Sequence, residues 1–198
     1  MMNERIRRIL TVAATAFAAL GLAACTGTAT PAPTSTNDTD SGYVSGDGSV
    51  QQWSPEEREE PVELAGESMT GDPLDLEDWR GSVVVVNFWY AECPPCRKEA
   101  PDLVALAKEF EGEVQFMGVN HINEPETALA FERRFELPYP SLHDKDAAGV
   151  ASMQNVVPLQ AMPSTVVLDA EGRVAARILG LAEKATLKAL ITDTLAES

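Results

Sequence analysis

The stretch Val83-Val84-Val85-Val86-Asn87-Phe88-Trp89-Tyr90-Ala91-Glu92-Cys93-Pro94-Pro95-Cys96-Arg97-Lys98-Glu99-Ala100-Pro101 decides the fold. Its first seven residues are apolar and mostly β-branched, broken only by Asn87. That composition suits a strand buried on both faces, the central strand of a helix-covered sheet. Pro94 and Pro95 then mark a helix start, where a missing N–H is no loss because it would have no intrahelical partner. Past Arg97, Ala100, Leu103, Val104, Ala107 and Phe110 recur at helical spacing and predict one buried face. Pro101 lies inside that helix and predicts a kink.

Cys93 and Cys96 sit at the strand-to-helix junction, and this position has a chemistry. The helix N-terminus offers partial positive charge and free N–H groups. Both favour the thiolate, which is the nucleophilic form of cysteine. Cys96 lies within one turn and can close a disulfide. Cys93 is then the attacking thiol and Cys96 the one that resolves the mixed disulfide, and the pair can also run in reverse as an oxidant. Half a zinc site is the alternative, but its other ligands would have to be His121 and His143, 22 residues apart in loop-like contexts. A purely structural disulfide across two residues gains little loop entropy.

Downstream, Val114 to Val119 predicts a second buried strand and Glu126 to Phe135 a helix opened by Pro125. Ala147 to Met153 suits a short helix. Thr165 to Leu168 and Arg173 to Leu179 read as a β-hairpin whose turn uses Gly172 at positive φ. Glu183 to Leu195 closes the chain as a helix with Leu187, Leu190 and Ile191 on one face. Alternating elements followed by a hairpin imply a mixed sheet with helices on both sides. Arg133 and Arg134 fit either a solvated helix face or a docking patch for an acidic partner.

Upstream, Arg5, Arg7 and Arg8 precede Ile9 to Ala24, sixteen residues without charge. This is the pattern of a secretory signal, and the run is short for a membrane span, which needs about 20. It ends Leu22-Ala23-Ala24-Cys25, similar to the lipobox of bacterial lipoproteins. Residues 1–24 are therefore expected to be removed, leaving a diacylated Cys25 as anchor to the cell membrane. An ordinary cleaved signal and an uncleaved anchor are the other readings, and all three put the domain outside the cytoplasm, where a disulfide persists. Thr26 to Glu60 contains no Leu, Ile, Met or Phe and predicts a flexible tether. Glu56 to Glu60 reads as a solvated charge run, and Trp53 either folds back or does not. Residues 61–198 are left as the folded domain.

The 198 residues carry 44% apolar side chains and a formal net charge of −16. The apolar content excludes wholesale disorder, and the acidity argues against a nucleic-acid partner. Three cysteines are too few for a disulfide-stapled miniprotein or a four-cysteine zinc site.

The segment from Asn87 to Pro101 resembles the thioredoxin active site, with Pro101 at the place of that family's helix-kinking proline. Met162-Pro163-Ser164-Thr165 resembles the loop whose proline is cis and lies against the disulfide. With the lipobox, the tether and the long Asn120 to Met162 interval, the chain is similar to membrane-anchored, extracytoplasmic thiol-disulfide reductases of the TlpA/ResA type. The resemblance implies an α/β, thioredoxin-like three-layer sandwich with a central mixed β-sheet and helices on both faces. It implies a cis Pro163 that presents the Met162 backbone to a substrate chain, and a Trp89 packed beside the disulfide and counted with the substrate-binding residues. It also implies a proton-handling role for Glu99, whose place three residues after Cys96 puts it on the same helix face. Partial burial there would raise its pKa toward a useful value.

The implied partners are protein thiol or disulfide substrates, among them apocytochrome c before haem attachment, and a membrane electron donor of thiol-disulfide type. The protein is expected to be a monomer without cofactor or metal. Two positions depart from the thioredoxin pattern. Asn87 stands where cytoplasmic thioredoxins carry a buried Asp, and Glu92 where Trp is usual. Pro94-Pro95 leaves Cys96 as the first N–H donor, which favours a reductase over an oxidant of the DsbA kind. A peroxiredoxin would need Thr three residues before the cysteine, where Tyr90 stands. A Sco-type copper protein would need three residues between its cysteines and a distal His.

Overall fold

A computed structural model describes residues 47, 49–158 and 160–198. Residues 1–24, Cys25 and most of the expected tether lie outside the described residues. Six strands form one mixed sheet in the order β1-β8-β7-β4-β5-β6. These are β1 (Val50–Gln52), β4 (Val83–Phe88), β5 (Val114–Asn120), β6 (Ser141–His143), β7 (Ser164–Leu168) and β8 (Val174–Leu179); β2 (Ala65–Glu67) and β3 (Pro73–Asp75) form a separate hairpin. Four helices accompany them: α1 (Pro94–Glu109), α2 (Pro125–Phe135), α3 (Ala148–Ser152) and α4 (Lys184–Ala196). No described helix is long and apolar enough to cross a membrane.

β4 lies at the centre, parallel to β5 and antiparallel to β7, with every residue buried. Its alternation feeds two cores, because successive side chains point to opposite faces. Val83 and Val85 pack with Leu103 and Leu106 of α1 and Leu187, Leu190 and Ile191 of α4. Val84, Val86 and Phe88 pack on the other face with Leu64, Leu74, Leu76 and the α3 region. The three-layer, thioredoxin-like arrangement follows from this two-sided burial. Gly172 takes φ +81° in the β7–β8 turn, as its place in the sequence requires. α1 runs through Pro101 unbroken.

The domain begins earlier than its expected start at Pro61. β1 pairs antiparallel with β8 as the sheet edge, inside the segment expected to be tether. Trp53 folds back, its N–H donating to the Ala175 carbonyl at 2.8 Å and its ring packed against the core. Arg58, inside the charge run read as a solvated face, is buried and pairs with Asp169 at 3.1 Å, and with Glu197. The partners of these residues come from the far end of the chain, so local composition alone reads the segment as polar spacer.

Candidate active site

β4 and α1 place the two sulfurs. Cys93 is the N-cap of α1 in extended backbone (φ −68°, ψ 112°), and Cys93 and Cys96 form a disulfide across 5.2 Å between Cα atoms. With prolines at both of the first two helical positions, the first available amide is that of Cys96. It donates to Cys93 Sγ at 3.1 Å. Both cysteines are 1% exposed.

Glu99 lies one turn further along α1 and is 1% exposed, a carboxyl inside the protein. Asn87 Nδ2–H of β4 donates to its Oε1 at 2.8 Å, and the Ala182 N–H ahead of α4 donates to its Oε2 at 2.9 Å. Asn87 is itself buried and also donates to Thr165 Oγ1 at 3.1 Å. Burial drives the Glu99 pKa from 4.5 up to about 7, against the pull of these two donors. The departure at Asn87 thus has a structural meaning: an amide supplies a hydrogen bond to Glu99 where a second carboxylate would repel it. Tyr139, buried nearby, stays a neutral phenol, because burial first and the charge of Glu99 next push its pKa upward.

The Met162–Pro163 peptide is cis. Pro163 leads into β7, whose Ser164 pairs with Phe88 at the active-site end of β4. The Pro163 carbonyl accepts from Gly180 N–H at 2.9 Å, and the Met162 N–H is turned to the Gln160 carbonyl at 3.2 Å. Trp89 is 2% exposed, in the same apolar cluster as both cysteines. It stacks on Phe131 with ring centroids 4.3 Å apart and donates from Nε1 to Ser141 Oγ at 3.3 Å. Its burial packs it beside the disulfide, the place the sequence reading expects.

Residues 59–177 match the family model described as AhpC/TSA family. The chain belongs to that family. It is similar to the thioredoxin-like protein YneN of Bacillus subtilis strain 168, at 29% identity over 120 residues, 59% of this chain and 68% of that protein. It is also similar to the thiol-disulfide oxidoreductase ResA of Halalkalibacterium halodurans, at 32% identity over 118 residues, 59% of this chain and 64% of that one. The chain thus spans about two thirds of the length of these curated relatives. Among solved structures it resembles a secreted thiol-disulfide isomerase from Corynebacterium glutamicum, with a TM-score of 0.71 and 26% identity over 78% of this chain and 96% of that one.

Within this AhpC/TSA domain, the structure adds site residues that the sequence reading lacks. Asn123 accepts from the Ala91 N–H at 2.7 Å and donates to Glu92 at 2.8 Å, and Asn120 donates to Asn123 Oδ1 at 3.0 Å. Together these asparagines hold the loop that delivers Cys93. Gly118 of β5 is required because a Cβ there would lie 2.3 Å from Ser141 Oγ and 2.6 Å from Trp89 Nε1. No local signal marks either feature, since both depend on contacts across strands and loops.

Proposed function

We propose that this chain is an extracytoplasmic thiol-disulfide oxidoreductase, anchored through a lipidated Cys25 and acting chiefly as a reductase of protein disulfides. The observation that carries the reading is the Cys93–Cys96 disulfide at the start of α1, with the Cys96 N–H on Cys93 Sγ. In the reduced protein that N–H and the helix terminus favour a Cys93 thiolate. Cys93 attacks a substrate disulfide and expels one half as a thiol. Cys96 then attacks Cys93 Sγ, releases the second half and closes the disulfide, so two electrons and two protons pass to the substrate.

Glu99 is the proton carrier of this proposal. A carboxyl with a pKa of about 7 can take the Cys96 proton as that thiol turns nucleophile and return it later. Met162 and Pro163 border the substrate. Apocytochrome c and a membrane thiol-disulfide electron donor are the partners that the TlpA/ResA resemblance suggests.

The deciding measurement is the equilibrium reduction potential of the Cys93–Cys96 pair in the chain from Asp47 onward, against glutathione and dithiothreitol buffers. A value well below about −200 mV supports the reductase. A value near that of DsbA, about −120 mV, overturns it and makes the protein an oxidant.

A further inference from the structure

Next to the loop that leads into Cys93, α1 and α2 border an open pocket of about 400 Å³. Ala91, Ala130 and the buried Phe131 supply apolar surface, while Arg97, Arg134 and Glu92 supply charge. The pocket opens next to the loop that ends at Cys93. Glu92 is engaged by Asn123. Arg97 spends one N–H on the Ala91 carbonyl at 3.0 Å. Its guanidinium and that of Arg134 lie 5.4 Å and 6.0 Å from the centroid of the Phe135 ring. Among the described residues neither arginine has an ion-pair partner. Two guanidiniums without an ion-pair partner among the described residues thus meet at one spot of a chain of net charge −16.

We propose that this pocket selects substrates, accepting a Glu or Asp side chain that flanks the substrate cysteine. The proposal rests on the thiol-disulfide reading and deepens it. While Cys93 is joined to the substrate cysteine, the neighbouring substrate residue lies within reach of Ala91 and Glu92. Its carbon stem meets Ala130 and Phe131, and its carboxylate meets two guanidiniums against one carboxylate. Planar guanidiniums suit this recognition because they present paired donors to a carboxylate. Arg133, next to Arg134 in sequence, does not line the pocket. The patch considered for Arg133 and Arg134 together is thus reassigned to Arg134 and Arg97.

The test uses the full chain in detergent, reduced beforehand and freed of reductant. It is mixed with disulfide-linked peptides that differ only in the residue beside cysteine: Glu, Gln or Lys. The released peptide thiol is quantified after acid quench. The overall charge of the protein favours the Lys peptide, so a Glu preference has to come from the pocket. The expected order is Glu, then Gln, then Lys, with Glu ahead of Lys by about three- to tenfold, the scale of one or two exposed ion pairs. R134E should reverse or erase that ratio. R133E, which changes the net charge by the same amount, should preserve it.

Equal rates for the Glu and Lys peptides, a faster Lys peptide, or the same ratio in R134E as in the unaltered chain would each overturn the pocket while leaving the oxidoreductase intact. R134Q repeats the comparison if R134E fails to fold. No reduction of any peptide, beyond what Cys93→Ser shows, would overturn both readings.

Discussion

Glu99→Gln separates a titrating buried carboxyl from one that is merely packed. The Glu99 pKa rises from 4.5 in the unfolded chain to about 7 in the fold, mainly through burial. Between those values the folded chain holds a proton that the unfolded chain releases. Stability associated with this group is therefore complete below about pH 4.5 and falls as pH rises through 7. A rise of about 2.5 at 1.36 kcal/mol each corresponds to about 3 kcal/mol lost across the window.

Gln keeps the volume but does not titrate. One end of its amide still accepts a hydrogen bond, while its NH2 faces a second donor, either Asn87 Nδ2–H or Ala182 N–H. That mismatch costs about 1–3 kcal/mol, nearly independent of pH. Urea unfolding at pH 5, 6, 7 and 8 reads the difference between the two proteins. At an m-value of about 2 kcal/mol/M, the part of this loss that falls between pH 5 and 8, about 2.5 kcal/mol, should lower the midpoint of the unaltered chain by about 1.3 M relative to the variant. Parallel midpoints across that range would mean that Glu99 keeps one charge state throughout, and its proton-carrying role would fail with the linkage.

Gly118→Ala should destabilise by about 1–3 kcal/mol in thermal or urea unfolding, because the new methyl enters space held by Trp89 Nε1 and Ser141 Oγ. A chain beginning at Pro61 should be less stable than one beginning at Asp47 by at least about 3 kcal/mol. It lacks β1, Trp53 and the buried Arg58–Asp169 pair, and equal urea midpoints would refute that assignment. Asn123→Ala strands the Ala91 N–H and frees Glu92; a loss of about 1–3 kcal/mol is expected, with slower reduction of peptide disulfides. Cys96→Ser should accumulate a dithiothreitol-sensitive mixed disulfide with peptide substrate, visible by mass, whereas Cys93→Ser should not.

The legible part of this fold is the part written in local period. β4 and β5 are apolar runs longer than any competing pattern, and α1, α2 and α4 show their buried faces at helical spacing. β1, β2, β3 and β6 have three residues each, too few for alternation to register, and exist because of what lies across from them. The same division runs through the site. Cys93 and Cys96 declare themselves because both are on one helix turn. Spacing also puts Glu99 on the face of Cys96, but spacing does not decide whether that face meets water. Asn87 from β4 and Ala182 ahead of α4 decide it, the latter 83 residues away in sequence. They bind the carboxyl tightly enough to keep it inside, yet too weakly to offset burial. A Glu at this position on an exposed helix would be an ordinary solvated acid near its usual pKa. Its chemistry is therefore set by the tertiary structure, and a change at Asn87 should move the Glu99 titration without touching either cysteine. Asn87→Asp sharpens the point: a second carboxylate 2.8 Å away would have to share one proton with Glu99, raising its pKa further and carrying the pH dependence of disulfide exchange upward with it.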